Sequence, residues 1–355
     1  MKENSQKFFK TNKISFSLGF IIIVALSLRM LNLYFALPQI SQPSRTSAFA
    51  GDAVQYQAIA EAIVTKGIFI PAEGIYGGMM KMSGRELSAK RTPGYPLFLA
   101  LFYLLFGIKF WPVYLAQSLL DTITVIIVYL MAKEVFGSKK ISLIASFLYA
   151  INLTAIHFNS RLFTETLFTF MFSLTVLVFL RVYKTDKVIR FVGVGVLLGL
   201  STLIRPIVLY FPAVMIIVLL LKKTSLKRRL SSIAVLMLAF LLTLFPWQYR
   251  NLRVFGHYSL TSQAGLNLCY WNARLLKEDI EGLDKRAARE QLLGNSLKGL
   301  KNPFEQEKVG RKVALGYICQ HPLRYVYLHL KGIKKINRGR IVGSLRKNGA
   351  LSCSG

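Results

Sequence analysis

Long apolar runs separated by short basic loops set the pattern of this chain. The apolar runs are Ile14 to Pro38, Trp111 to Lys133, Ile141 to His157, Leu162 to Leu180, Phe191 to Ile204, Ile207 to Leu221 and Leu230 to Trp247. About 20 apolar residues cross the hydrocarbon core of a bilayer as a helix, so the pattern predicts an all-α polytopic membrane protein with seven spans. The fifth and sixth runs are short and meet at Arg205-Pro206. Together they are too long for one crossing, and they read as a hairpin. The run Pro96 to Gly107, PLFLALFYLLFG, falls in the length range of re-entrant or interfacial helices.

The polar positions decide between arrangements. With Pro96 to Gly107 lying flat, Lys2, Lys7, Lys10 and Lys13 share a side with Lys133, Lys139 and Lys140. Arg181, Lys184, Lys187 and Arg190 fall there too, as do Lys222, Lys223, Lys227, Arg228 and Arg229. The excess of Lys and Arg in short loops marks the cytoplasmic side, so the N-terminus is expected inside. The opposite short loops hold only Arg161 and Arg205. Asp52, Lys90, Arg91, Arg161, Glu165 and Arg205 are therefore expected together on the extracytoplasmic side of the cell membrane. The first apolar run is long and has no A-x-A-like exit, so it is expected to stay as an anchor rather than be cleaved.

Composition agrees with the membrane class. Hydrophobic residues make up 53% of the chain and charged residues only 17%, outside the range of ordinary soluble domains. The formal charge of +30 then reads as cytoplasmic loops facing anionic lipid, and nucleic acid is not an expected partner. Cys269, Cys319 and Cys353 have no metal or redox spacing, and His157, His257, His321 and His329 have no ligand spacing.

Five segments in order, GDAVQYQAIAEAIVTKG, KRTPGYPLFLALFYLLFG, RLFTETLF, GLSTLIRP and FPWQYRNLRVFG, resemble the glycosyltransferase C superfamily over roughly residues 15 to 265. The resemblance is to its bacterial branch, related to protein O-mannosyltransferases and lipid A aminoarabinose transferases. It implies a seven-span module with amphipathic helices in the first outer loop (39–110). It also implies transfer of a sugar from a polyprenyl-phosphate carrier to a hydroxyl on the outer face, where the acceptor is a lipid, glycan or protein. The donor is then a lipid-linked sugar phosphate and no further cofactor is expected, with a divalent metal left open. Members of the family usually continue into further spans. Here residues 251–355 read instead as a mostly helical extracytoplasmic segment, with helical stretches at Lys285 to Leu293 and Lys308 to Cys319, an amphipathic basic run to Ile341, and a tail without apolar character from Ser344.

Sugar transfer to an alcohol needs a base for the hydroxyl proton and positive charge for the departing phosphate. Asp52 is the candidate base, at the place where the family's catalytic acidic residue falls. It is equally a favoured N-cap for a helix over Ala53 to Lys66. Arg205, at the tip of the hairpin, matches by position a basic residue of the family that contacts carrier phosphate, and Arg91 opens the interfacial helix beside Lys90. For all three the competing reading is contact with phospholipid headgroups. Glu165 either orients the acceptor, the sugar or Arg161, or complements a helix N-terminus. Tyr56, Trp247, Arg250 and Asn251 line the pocket or anchor the interface. Asp121, inside the second span, is expected to form a buried bond to another span. Gly195 and Gly199 have the spacing of close helix packing. A transporter or lipid flippase is the rival class, hinted at by Arg29 and Asp121, and an inactive, truncated homologue is a third possibility.

Overall fold

A computed structural model describes residues 2–40, 52–69, 89–185, 187–294, 296–297, 299–300 and 302–337, with side chains described in the first helix from Ser17 to Ala36 and in the last to Gly332. Parts of the first outer loop (41–51 and 70–88) and the tail from 338 lie outside the described residues. The chain forms two compact units, 1–260 and 261–355.

The first unit is an all-helical membrane module. Its helices are α1 (Lys2–Ile40), α2 (Asp52–Lys66), α3 (Gly94–Phe106), α4 (Trp111–Phe136), α5 (Lys139–Ala150), α6 (Leu153–Asn159), α7 (Glu165–Tyr183), α8 (Phe191–Ile204), α9 (Phe211–Leu220) and α10 (Leu226–Phe255). Four of them, α1 from Ser17, α4, α7 and α10, are each long and apolar enough to cross a bilayer, and α5 with α6 forms a bent fifth candidate. At 13 residues α3 is about 20 Å long, too short to cross, as expected for an interfacial helix.

Seven spans were expected, and four of them differ: the run Phe191 to Ile204 forms only the 14-residue α8, which like the helix after it is shorter than the helices long enough to cross. The run Ile141 to His157 is not one helix. Asn152 leaves helical geometry and its side chain accepts from the Ala155 N–H, starting α6 at a bend of 51° to α5. The run Ile207 to Leu221 begins as a 3-10 turn, Pro206–Tyr210, ahead of α9. The last span continues past Trp247 to Phe255, through Pro246, and stops where Gly256 takes a left-handed conformation, φ 75°. Beyond it Trp247 donates to the Leu260 carbonyl at 2.8 Å and Asn251 to the Ser259 carbonyl at 2.7 Å. These bonds carry the first unit to Leu260, past residue 250.

Close packing of α8 on α10 depends on the two glycines singled out by spacing. A Cβ at Gly195 would lie 2.4 Å from the Leu236 carbonyl oxygen, and one at Gly199 would lie 2.6 Å from the Thr243 Cβ. A second tie is polar. Arg29 of α1, fully buried, donates through Nε to Asp121 of α4 at 2.7 Å and through Nη1 to the Ala25 and Ala150 carbonyls at 3.0 Å each. Tyr149 of α5 donates to the other Asp121 oxygen at 2.6 Å. The bond expected of Asp121 is thus a clamp on three helices.

The second unit contains α11 (Ala264–Asn267), a π-helical turn (Leu268–Ala273), α12 (Arg274–Glu281), α13 (Lys285–Leu293), α14 (Pro303–Gln320) and α15 (Pro322–Asn337). Cys269, Ala273, Leu292, Leu293 and Ala314 form its core. Glu307 of α14 accepts from the Gly265 N–H at 2.9 Å, and the two helices approach so closely there that a Cβ on Gly265 would meet the Glu307 carbonyl at 2.2 Å.

Candidate active site

The site begins on one face of α2. Asp52, Gln55 and Tyr56 occupy positions i, i+3 and i+4, which a helix brings to one side. Arg91, in the turn before α3, lies across that face. Its guanidinium pairs with the Asp52 carboxylate, donates to the Gln55 side-chain oxygen at 2.8 Å and to the Tyr56 hydroxyl at 3.3 Å, and sits 5.0 Å from the centre of the Tyr56 ring. Arg91 is largely enclosed, with 12% of its side chain exposed, while Asp52 is half exposed and reachable by a substrate.

The second half of the site comes from α7 and α8. Pro206 disfavours helical geometry in the residue before it, so α8 ends at Ile204 and Arg205 is extended, φ −136° and ψ 113°. From that break Arg205 donates to Glu165 at 3.1 Å and lies 5.5 Å from the centre of the Phe168 ring. Glu165 opens α7, where the helix N-terminus favours a carboxylate, and its other oxygen is 3.5 Å from the Thr164 hydroxyl. Glu165 also lines a cleft of ≈ 210 Å³ with Tyr149, Asn152, Thr166 and Thr169, reaching Asp121.

Close backbone approach joins the halves. Thr92 donates to the Ile204 carbonyl at 3.3 Å, and a Cβ on Gly94 would fall 2.7 Å from the Leu203 carbonyl oxygen. Only glycine lets the start of α3, and Arg91 with it, come this near the end of α8.

All four charges act on the Tyr56 hydroxyl. Burial raises its hydroxyl pKa above the usual tyrosine value; Arg91 and Arg205 lower it, and Asp52 and Glu165 raise it. The phenol therefore remains a neutral donor at physiological pH. Its ring meets Tyr95 edge-on at 5.1 Å, and Tyr95 donates to the buried Gln117 of α4 at 2.8 Å. Gln117 in turn donates to the Asn159 and Arg161 carbonyls, both at 2.9 Å. This chain of bonds fixes α3 against the turn that carries Arg161.

The structure thus brings Asp52, Tyr56, Arg91, Glu165 and Arg205 together. Arg161 acts on Tyr114 and His157, whose titration it shifts, and Lys90 is partly buried beside Arg91. Trp247 and Arg250 form a separate aromatic cluster with Phe69: the Phe69 and Trp247 rings are 4.8 Å apart and the Arg250 guanidinium is 4.8 Å from Trp247. Gln55 and Gln117 were not anticipated from the sequence. Gln55 shares the helical face of Asp52, and Gln117 is an amide inside an apolar span, so each carried a signal.

These features define a polytopic membrane protein with a site of paired carboxylates and guanidiniums at one end of its helices. Residues 90–249 match the sequence model of the dolichyl-phosphate-mannose-protein mannosyltransferase family, within the glycosyltransferase C superfamily. Over that stretch the chain is similar to multi-pass membrane glycosyltransferases. It includes Lys90, Arg91, Arg161, Glu165 and Arg205 and begins beyond Asp52 and Tyr56, so those two enter the site on geometry. No curated protein matches the chain.

Proposed function

We propose that the chain transfers a sugar from a polyprenyl-phosphate carrier to a hydroxyl acceptor on the extracytoplasmic face, with inversion at the anomeric carbon. The observation that carries this reading is the meeting of the Asp52–Arg91 and Glu165–Arg205 pairs around Tyr56. The acceptor hydroxyl gives its proton to the Asp52 carboxylate while its oxygen attacks the anomeric carbon. The bond from that carbon to the phosphate oxygen breaks, and polyprenyl phosphate departs carrying one more negative charge. Arg91, Arg205 and the Tyr56 hydroxyl meet that charge, as preorganised donors do for developing anions.

Each arginine holds a carboxylate when the site is empty. A carrier phosphate competes for the same guanidinium fork, so donor binding draws Arg91 from Asp52 and leaves the carboxylate free to act as base. Glu165 is released in the same exchange and can orient the sugar. The basic loops support the sidedness proposed. Arg181 and Lys184 pair with Glu134 near the far end of α4, away from the site, and Lys222 donates to Thr185 beside them. The Arg29–Asp121 pair, which alone hinted at a transporter, ties α1, α4 and α5 together.

Purified protein in nanodiscs should bind polyprenyl phosphate, and polyprenol lacking the phosphate should not compete. Arg205→Lys keeps the charge but loses the fork, and should weaken carrier binding about tenfold, the worth of one charge-assisted hydrogen bond. Equal binding of carrier and polyprenol would remove the phosphate site from the proposal.

A further inference from the structure

The second unit carries a surface that glycosyl transfer does not use. On α15, Leu323, Val326, Tyr327 and Leu330 are exposed by 85%, 54%, 49% and 54%. They stand at i, i+3, i+4 and i+7, one apolar stripe along the helix. The opposite face holds α15 to its own unit: Tyr325 donates to Asn272 at 3.0 Å, and Arg324, at the side, to Asp279 at 2.6 Å. The stripe is therefore presented outward by a helix fixed from behind.

Charge selects what it meets. Pro322–Asn337 includes Arg324, Lys331, Lys334 and Lys335 and no acidic residue, and no Asp or Glu follows Glu307 in the sequence. An apolar stripe with Arg324 and Lys331 against its Tyr327 ring, on a helix whose sequence is basic and has no acidic residue, fits the headgroup and acyl boundary of a bilayer, with anionic lipid as counter-charge. A protein partner of the same chemistry would need an acidic rim around an apolar groove. The lipid surface supplies both features, and a chain anchored by its membrane spans never leaves it. We infer that α15 is an interfacial helix that docks the second unit on an anionic lipid surface through Leu323, Val326, Tyr327 and Leu330. This docking holds whether or not the first unit transfers sugars.

The test places a spin label at Leu330→Cys in the full-length protein, with Cys319→Ser and Cys353→Ser. Cys269 is buried and burial pushes its thiol up to about 11, so it stays unlabelled. In nanodiscs containing phosphatidylglycerol the label should collide with oxygen in preference to an aqueous nickel chelate. Lys331→Glu should lower the docked-to-undocked ratio on the order of tenfold, as should purely zwitterionic lipid. A label equally open to the nickel chelate in both lipids would overturn the inference. So would a label shielded alike in anionic lipid, zwitterionic lipid and detergent, which would mean that protein covers the stripe.

Discussion

Asp52→Asn is expected to slow sugar transfer by about 10²- to 10⁴-fold, the usual contribution of a positioned general base. The substitution is chosen because it separates the two roles of this residue. Asp52 is the first residue of α2, where asparagine loses only a surface-scale interaction with the helix N-terminus, so α2 should form and thermal unfolding should change little. An amide cannot take the acceptor proton. It also no longer pairs as an anion with Arg91, which is left freer for phosphate, so carrier binding should hold or tighten while turnover falls. Rates and carrier affinity measured on the same reconstituted sample check both halves. Unchanged turnover would return Asp52 to a capping role.

The second large effect is on stability. Asp121→Leu removes the only charged partner described for Arg29, whose side chain is fully buried among α1, α4 and α5. Breaking a buried pair strands the remaining charge at a cost of about 3–5 kcal/mol. The expected result is a large drop in thermal stability in detergent or nanodiscs, without a direct effect on carrier affinity. Arg29→Met combined with Asp121→Leu should recover most of the loss, because replacing both partners by apolar groups is often neutral. A single variant as stable as the parent would mean that the clamp contributes nothing.

Much of this fold was legible because a bilayer imposes strong rules. The apolar runs gave the helices of the first unit, the shortness of Pro96 to Gly107 marked α3 as a helix too short to cross, and the spacing of Gly195 and Gly199 marked the α8–α10 contact. What escaped lay where local geometry overrides apolar length. Asn152 breaks an apolar run by capping, and Pro246 fails to stop a helix because the remaining turns and the packing around it hold the helix together. In the site, the residue types were readable but their pairing was not. Asp52 and Arg91 are separated by 38 intervening positions, and nothing local says that Gly94 admits the close approach that also brings Arg91 within reach of Arg205's neighbourhood. The Arg161 backbone is likewise set from a distance, its carbonyl accepting from Gln117 of α4.

The most direct measurement follows label from carrier to acceptor. Membranes containing the protein are given a panel of polyprenyl-phosphate hexoses and pentoses, and both the labelled acceptor fraction and the released polyprenyl phosphate are quantified, beside the Asp52→Asn variant. The account predicts that at least one donor is consumed with one polyprenyl phosphate released per sugar transferred, and that the variant loses this activity. A chain that consumes no donor, yet moves solute or lipid across proteoliposomes, would contradict it.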